Sequence, residues 1–329
     1  MSTARAYPNI ALIKYWGKDD EQLMLPAAGS LSLTLDAFAT TTTVELTPDA
    51  AGDELHLNGA PAAPEQLRRV TRLLDIVREL ASSAAPARVV SVNEAPTGAG
   101  LASSASGFAA LATAAAAAYG LDLSPRELSR LARRGSGSAT RSVIPGLAVW
   151  HAGTDEESFA EPVAGPDLRM IIVFVDESHK AVTSREAMRR TAETSPFHAA
   201  WITSTAETLG DALEACGADD FTRLGELAEL NALRMHAVIQ SAEPPIRYLT
   251  ARSIAVFDAV AEMRADGLEA YATADAGPNV VVIARPADAE AVAARLAPIG
   301  RTAVVGPGAG AELLADADAL AAPVEEAAL

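Results

Sequence analysis

The reading of this chain turns on PTGAGLASSASGFAALATAAAAAYG, Pro96 to Gly120. The segment ARVVSVN, from Ala87, has strand composition and runs into it, and its alanine-rich second half predicts a helix to about Tyr119. A strand, a Gly/Ser turn and a helix start together aim free backbone N–H groups and the positive end of the helix at an anion. Gly98 and Gly100 let the backbone come close, while Ser103, Ser104 and Ser106 offer hydroxyls to phosphate oxygens or a metal ion. The turn is not a Walker loop, because no lysine stands in it. A small-residue helix packed on a sheet would share the composition. The open question is where the positive charge for a phosphate ligand sits.

The totals narrow the answer. The chain has 329 residues, 50% of them hydrophobic, enough for one large domain or two coupled ones. A net charge of -17 argues against nucleic acid or an anionic membrane as partner. No stretch has the length and apolarity of a membrane span, and MSTARAYPNIALIKYWGK lacks the layout of a secretory signal, so a cytoplasmic protein is expected. The single cysteine, Cys216, excludes an intrachain disulfide framework and reads as a small hydrophobe on a helix. In so acidic a chain, basic residues beside Gly/Ser clusters carry the information.

Strands are expected at Ala11–Tyr15, within Ser30–Leu46, near Leu147–His151, in LRMIIVFVD, and in EAYATAD, NVVVIAR and RTAVV. Helices are expected over Leu67–Leu80, Thr183–Thr194, Ala199–Cys216, Phe221–Ile239, Leu249–Asp266 and Ala287–Leu296. In SPRELSRLARRG, Ser124 and Glu127 fit a capping box, Pro125 sits in the first turn and Gly135 stops the helix. The arginine pairs at Arg133 and Arg189 read as facing solvent, at least in part. Without a clean βαβ repeat, α+β fits better than a doubly wound sheet. The shift in helix content puts a division near residue 180.

Three more stretches carry chemistry. RRGSGSATRS, Arg133 to Ser142, places glycines and serines past a helix end with Arg141 close by, which suits an anion nest beside a guanidinium or a plain C-cap and turn. In NIALIKYWGK, Lys14 and Lys18 bracket Tyr15 and Trp16; two solvated lysines beside a core aromatic would look the same. In ATADAGPN, Asp275 precedes a Gly-Pro turn, as a turn former or a reactive carboxylate would. His151, His198 and His236 stand singly, without metal-ligand spacing, and read as structural or surface residues.

Taken together, these stretches resemble the diphosphomevalonate decarboxylase family, within the superfamily of galactose, homoserine, mevalonate and phosphomevalonate (GHMP) kinases. NIALIKYWGK, SLSLTLD, PTGAGLASSASGFAAL, LSRLARRGSGSATRS, TSREAMRRT, LRMHA and DAGPN occur in the family's order from Asn9 to about Ile283. The superfamily's kinases share the Gly/Ser loop but not KYWGK or DAGPN in this form. The resemblance implies a two-domain α+β GHMP-kinase-like fold with the active site in the cleft between domains. Residues 1–180 would form an N-terminal ATP-binding domain of the ribosomal protein S5 domain 2-like type, 181–321 the C-terminal GHMP-kinase-type domain, and 322–329 a frayed tail. It also implies ATP and Mg²⁺ as cofactors, phosphorylated mevalonate as substrate and a homodimer.

Roles carry over position by position. Pro96, Gly98, Ala99, Gly100, Leu101, Ala102, Ser103, Ser104 and Ser106 would cradle ATP, with Ser104 orienting its β- and γ-phosphates and contacting Mg²⁺. Asp275 resembles the catalytic aspartate at the tertiary C3 hydroxyl, Arg141 the arginine on the C1 carboxylate, and Asn9 the residue that holds that arginine. Lys14 resembles the lysine that balances charge at the reacting centre. Tyr15, Lys18, Ser136, Gly137, Ser138, Ser184, Arg185 and Met188 match the diphosphate pocket. The loop then needs no lysine of its own, because the cations face the acceptor.

The chain departs from the family pattern at Ala27, Ala28 and Gly29, where an asparagine is usual, and at Thr140, Pro145 and Ala274. None of these replaces a residue given a chemical role. Rival readings are a relative acting on 5-phosphomevalonate, a kinase that phosphorylates C3 and stops, and a non-catalytic sensor on the same scaffold. Asp275, Lys14 and Lys18 speak against the kinase, and Asp275 with an intact Gly/Ser loop against the sensor.

Overall fold

A computed structural model of the chain describes residues 1–94, 103–176 and 182–321. Pro96, Gly98, Ala99, Gly100, Leu101 and Ala102, and the tail 322–329, lie outside the described residues.

Among the described residues, a six-stranded sheet runs in the order Glu312–Leu313, Ser2–Ala6, Thr40–Leu46, Ala87–Asn93, Glu54–Leu57, Ala60–Pro61. Its one parallel pair, Glu54–Leu57 beside Ala87–Asn93, needs a crossover, and helix Pro64–Ala81 supplies it. Helix Ser103–Ala118 packs on this sheet with Ala109, Ala110, Ala112, Ala114 and Ala115 fully buried. Alanine brings the helix axis close to the strands, which is why a weakly amphipathic run is stable here. The threonine run is buried with its hydroxyls paired: Thr43 with Thr3, Thr42 with Ser91, Thr40 with Ser106.

A second sheet has the order Ala160–Pro162, Leu147–Trp150, Ser30–Thr34, Asn9–Ile13, all antiparallel. A third has the order Ala270–Thr273, Val280–Ala284, Arg169–Phe174, Arg301–Val305, also antiparallel. In the third sheet Ile171 and Val173 face helices Ala251–Ala265 and Ala289–Leu296, while Met170 and Ile172 face the opposite way, toward helix Phe221–Gln240. Both faces are covered, so its central strands are apolar throughout rather than alternating. The cluster containing Met170 and Ile172 also takes in Ile10, Leu31, Leu33 and Val149 of the second sheet. One core therefore spans both halves of the chain, and the absence of a linker-like segment in the sequence follows from it.

The capping box at Ser124 and Glu127 forms, and helix Pro125–Gly135 ends at Gly135, where a Cβ would meet the Phe108 ring at 2.0 Å. The strand expected at Ala11–Tyr15 runs instead over Asn9–Ile13, because the chain turns off the sheet at Lys14, and the Ser2–Ala6 strand precedes it. Arg133 corrects the solvent-facing reading. Its exposure is 0%, with Nε donating to the Leu23 carbonyl at 3.0 Å and the rest of the guanidinium to Asp155 and the Ser158 carbonyl. Arg189 is exposed and pairs with Glu186 and Glu193 along its own helix.

Candidate active site

Lys14 follows the end of strand Asn9–Ile13 and turns inward, to 1% exposure. Its Nζ donates to the Ala11 carbonyl at 2.7 Å and to Asp275 Oδ1 at 2.7 Å, and its backbone N–H donates to Asn231 Oδ1 at 2.7 Å. Asp275 lies just past strand Ala270–Thr273, in a turn closed by Gly277 N–H on the Asp275 carbonyl, and its side chain keeps 32% exposure. Burial pulls the Lys14 pKa below its ordinary 10.5, the Asp275 charge and hydrogen bond push it back up, and Arg141 adds to the lowering. The ammonium thus depends on the carboxylate it holds.

Arg141 is carried by the four-residue helix Ala139–Ser142 and is 2% exposed. Its Nε and Nη2 donate to Asn9 Oδ1 at 3.2 and 3.0 Å, and Nη1 donates to Ser30 Oγ at 2.6 Å. Asn9 in turn donates through Nδ2 to the Ser138 carbonyl at 2.9 Å and to Ser142 Oγ at 2.8 Å, so one amide ties the strand to the Gly/Ser turn. Burial lowers the guanidinium pKa to about 10, opposed chiefly by the charge of Asp275. Among the described residues no carboxylate lies within ion-pair distance of Arg141. A buried cation held only by neutral acceptors is suited to receive an anionic ligand.

The Gly/Ser elements meet beside this pair. Ser104 Oγ is 3.3 Å from Ser136 Oγ, which is 3.3 Å from Ser138 Oγ, so the start of helix Ser103–Ala118 and the second Gly/Ser turn form one line of hydroxyls. A Cβ on Gly137 would come within 2.8 Å of the Tyr15 ring, so glycine permits the close approach of turn and aromatic. The Tyr15 ring packs edge-on against Trp150 at 4.7 Å between centroids, and its hydroxyl is buried without a partner among the described residues. Burial raises the Tyr15 phenol above its ordinary 10, so it stays a neutral donor. Lys18 is partly buried, 3.7 Å from Glu21, with its pKa lowered by burial and, secondarily, by Arg185. Ser184 and Arg185 start helix Ser184–Thr194, capped by Thr183, and Arg185 acts electrostatically on both Tyr15 and Lys18. Met188 packs with the cluster of Trp16 and Trp201. The backbone of Ser103 belongs to the helix that carries Ser104. Ser106 is fully buried, with its Oγ 2.7 Å from Thr40 Oγ1, and Thr40 lines the cavity beside Ser104.

Four neighbours of the site escape sequence reasoning. Ser30 and Asn231 are acceptors for Arg141 and Lys14, and His236 reaches the Ala274 carbonyl. Arg69 lines a cavity of about 340 Å³ beside Ser104, with Asn58, Gln66, Asn93 and Phe108; its guanidinium lies 4.8 Å from the Phe108 ring centroid. Ser30 and His236 sit in SLSLTLD and LRMHA, which only the family resemblance singles out.

The model of the diphosphomevalonate decarboxylase-like N-terminal domain matches residues 6–160, and that of the mevalonate 5-diphosphate decarboxylase C-terminal domain matches residues 170–303. The chain belongs to the diphosphomevalonate decarboxylase family. The diphosphomevalonate decarboxylase of Aspergillus fumigatus is 40% identical over 93% of this chain and 81% of its own length. A solved structure described as MDDEF in complex with MVAPP, AMPPCP and magnesium superposes with a TM-score of 0.91 at 44% identity, over 95% of this chain and 98% of that one. The mevalonate diphosphate decarboxylase of Enterococcus faecalis, described with a mevalonate diphosphate mediated mechanism of ATP binding, gives a TM-score of 0.90 at 43% identity over the same shares. The fold is thus the α+β, GHMP-kinase-like architecture of diphosphomevalonate decarboxylases. The two family models leave residues 161–169 between them, and strand Glu312–Leu313, beyond both, pairs with Ser2–Ala6.

Proposed function

We propose that this chain decarboxylates (R)-5-diphosphomevalonate at the expense of ATP, giving isopentenyl diphosphate, ADP, phosphate and CO₂, in the mevalonate pathway of isoprenoid biosynthesis. The observation that carries the reading is the convergence of Asp275, Lys14 and Arg141, distant in sequence, into one electrostatically coupled group next to the Ser104–Ser136–Ser138 line.

Bound beside Ser104, ATP with Mg²⁺ supplies the phosphoryl group that turns the tertiary C3 hydroxyl into a leaving group. The residues fit such a ligand. The cavity next to Ser104 has the volume of a nucleoside site and a cation, Arg69, in its wall. The Ser104 hydroxyl, a hard oxygen donor at the start of helix Ser103–Ala118, would serve a Mg²⁺ ion bound with the nucleotide. Pro96, Gly98, Ala99, Gly100, Leu101, Ala102, Ser103 and Ser106 would cradle the ATP phosphates together with Ser104.

Asp275 orients the C3 hydroxyl and accepts its proton, and its partial exposure leaves an oxygen open to do so. Lys14 keeps that carboxylate in place and offsets charge as the oxygen becomes a nucleophile. Arg141, fixed by Asn9 and Ser30, holds the C1 carboxylate so that the C1–C2 bond stays aligned with the breaking C3–O bond. When phosphate departs with the C3–O electrons, the C1–C2 electrons form the C2–C3 double bond and CO₂ leaves. Tyr15, Lys18, Ser136, Gly137, Ser138, Ser184, Arg185 and Met188 take the diphosphate, with the unpartnered Tyr15 hydroxyl as a donor.

The same reading puts the work in the cytoplasm, in a homodimer; among the described residues no helix is long and apolar enough to cross a membrane. The test is incubation with ATP, Mg²⁺ and mono- or diphosphorylated mevalonate, following ADP, phosphate and CO₂ separately. All three products from the diphosphate alone are expected. ADP without CO₂ would make the chain a kinase.

A further inference from the structure

Of the histidines, His151 pairs with Glu161 at the surface and His198 lies under Gly17, but His236 is 2% exposed, on the buried face of helix Phe221–Gln240. Its Nε2 is 3.3 Å from the Ala274 carbonyl. A carbonyl only accepts, so the ring donates, and neutral His236 carries its proton on Nε2. Ala274 immediately precedes Asp275. The strand ladder that orders this segment ends at Thr273 opposite Val281, so Ala274 and Asp275 lie beyond the sheet's own hydrogen bonds.

The same helix reaches the other member of the ion pair. Asn231 Oδ1 accepts the Lys14 backbone N–H at 2.7 Å, while Asn231 Nδ2 donates to Thr205 Oγ1 at 3.3 Å. Between them Ala232 and Met235 are buried. One packed helix therefore holds the strand end that bears Lys14 and the turn that bears Asp275.

We propose that His236 is a positioning residue, setting the Asp275 carboxylate against Lys14 and the reacting hydroxyl by hydrogen bonding the backbone just before it. The inference rests on the reading that Asp275 carries the chemistry. Burial, with Lys14 nearby, keeps the imidazole uncharged and adds no competing cation to the Lys14–Asp275–Arg141 group. Without the bond the turn gains freedom, the fraction of time spent in reacting geometry falls, and turnover falls with it, while the phosphate-binding surfaces are untouched.

The test compares His236→Met with His236→Gln in the full chain, using ATP, Mg²⁺ and 5-diphosphomevalonate. The two side chains match in length, and only glutamine has a donor near the place of Nε2. His236→Met should lose roughly tenfold or more in kcat with both KM values within about twofold of the original. His236→Gln should recover kcat to within about threefold. Equal impairment of the two, an unimpaired methionine variant, or a loss confined to KM would overturn the inference. Should His236→Met fail to fold, His236→Asn replaces it: its amide is too short to reach Ala274, and turnover equal to the glutamine variant would be contrary. Asp275→Asn is assayed alongside. Normal CO₂ release from that variant removes the underlying reading, whereas its loss together with a normal methionine variant removes only the role of His236.

Discussion

Lys14 Nζ and Asp275 Oδ1 lie 2.7 Å apart across 261 positions of sequence. The lysine is fully enclosed and the carboxylate is partly open, so the pair presents one oxygen to a ligand while the other is held. A buried ammonium survives only with such a partner, and here the partner is also the group given the chemistry.

Lys14→Met is expected to lower kcat roughly 10²–10³-fold, as for removal of a preorganised charge at a reacting centre. Stability should change less, because water can reach the Asp275 carboxylate. Steady-state rates and thermal unfolding of the same preparation check both.

Wild-type activity should decline on the alkaline side before the ordinary lysine value of 10.5. Burial makes the folded protein release the Lys14 proton below that value, and the neutral amine no longer orders Asp275. A pH–kcat profile up to the onset of unfolding reads the limb, and an alkaline limb unmoved in Lys14→Met would contradict its assignment.

Ser30→Ala strips one of the neutral acceptors from the buried Arg141 guanidinium. A loss of about 1–3 kcal/mol is expected, the cost of leaving a buried charged donor short of a partner. It should appear as a lower urea midpoint together with a raised KM for the diphosphorylated acid. An unchanged KM would separate Arg141 from the carboxylate.

Gly137→Ala sets a methyl group against the Tyr15 ring, at 2.8 Å before relaxation. Turn and ring must then separate, and the surface affected is the one proposed for the diphosphate. KM for the substrate should rise roughly tenfold with KM for ATP little changed. The reverse pattern would move Tyr15 to the nucleotide side.

Much of this was legible in the sequence, in uneven ways. Gly135 and Gly137 stand out beside serines, and a Cβ at either would run into the Phe108 or Tyr15 ring. Lys14, Arg141 and Asp275 stand out as charges at the edges of apolar or Gly/Ser runs. What joins them is not local. Asn231 and His236 read as ordinary polar residues on a helix, since their partners are Lys14 and the backbone of Ala274. Arg133 reads as solvated because Asp155, Leu23 and Ser158, which enclose it, are remote in sequence. The Ser2–Ala6 strand is short and half polar, and it exists because Thr40–Leu46 and Glu312–Leu313 offer it ladders on both sides.

His236 also bears on acid stability. Its pKa falls from 6.5 to about 4, chiefly through burial, so between these values the unfolded chain binds a proton that the folded protein does not. Stability therefore falls as pH drops through that window, by on the order of 3 kcal/mol in total. His236→Gln should flatten this part of the urea-midpoint profile. An identical slope in the variant would show that His236 titrates alike in both states.

The most direct measurement is single-turnover formation of ADP and CO₂ by Asp275→Asn, with ATP, Mg²⁺ and 5-diphosphomevalonate at saturating concentrations. The amide keeps the shape of the site but accepts no proton and draws no charge from Lys14. Both products should fall together, roughly 10³-fold or more, with ATP binding retained. CO₂ release at a near wild-type rate would contradict the role of Asp275, and with it the chemistry assigned to this site.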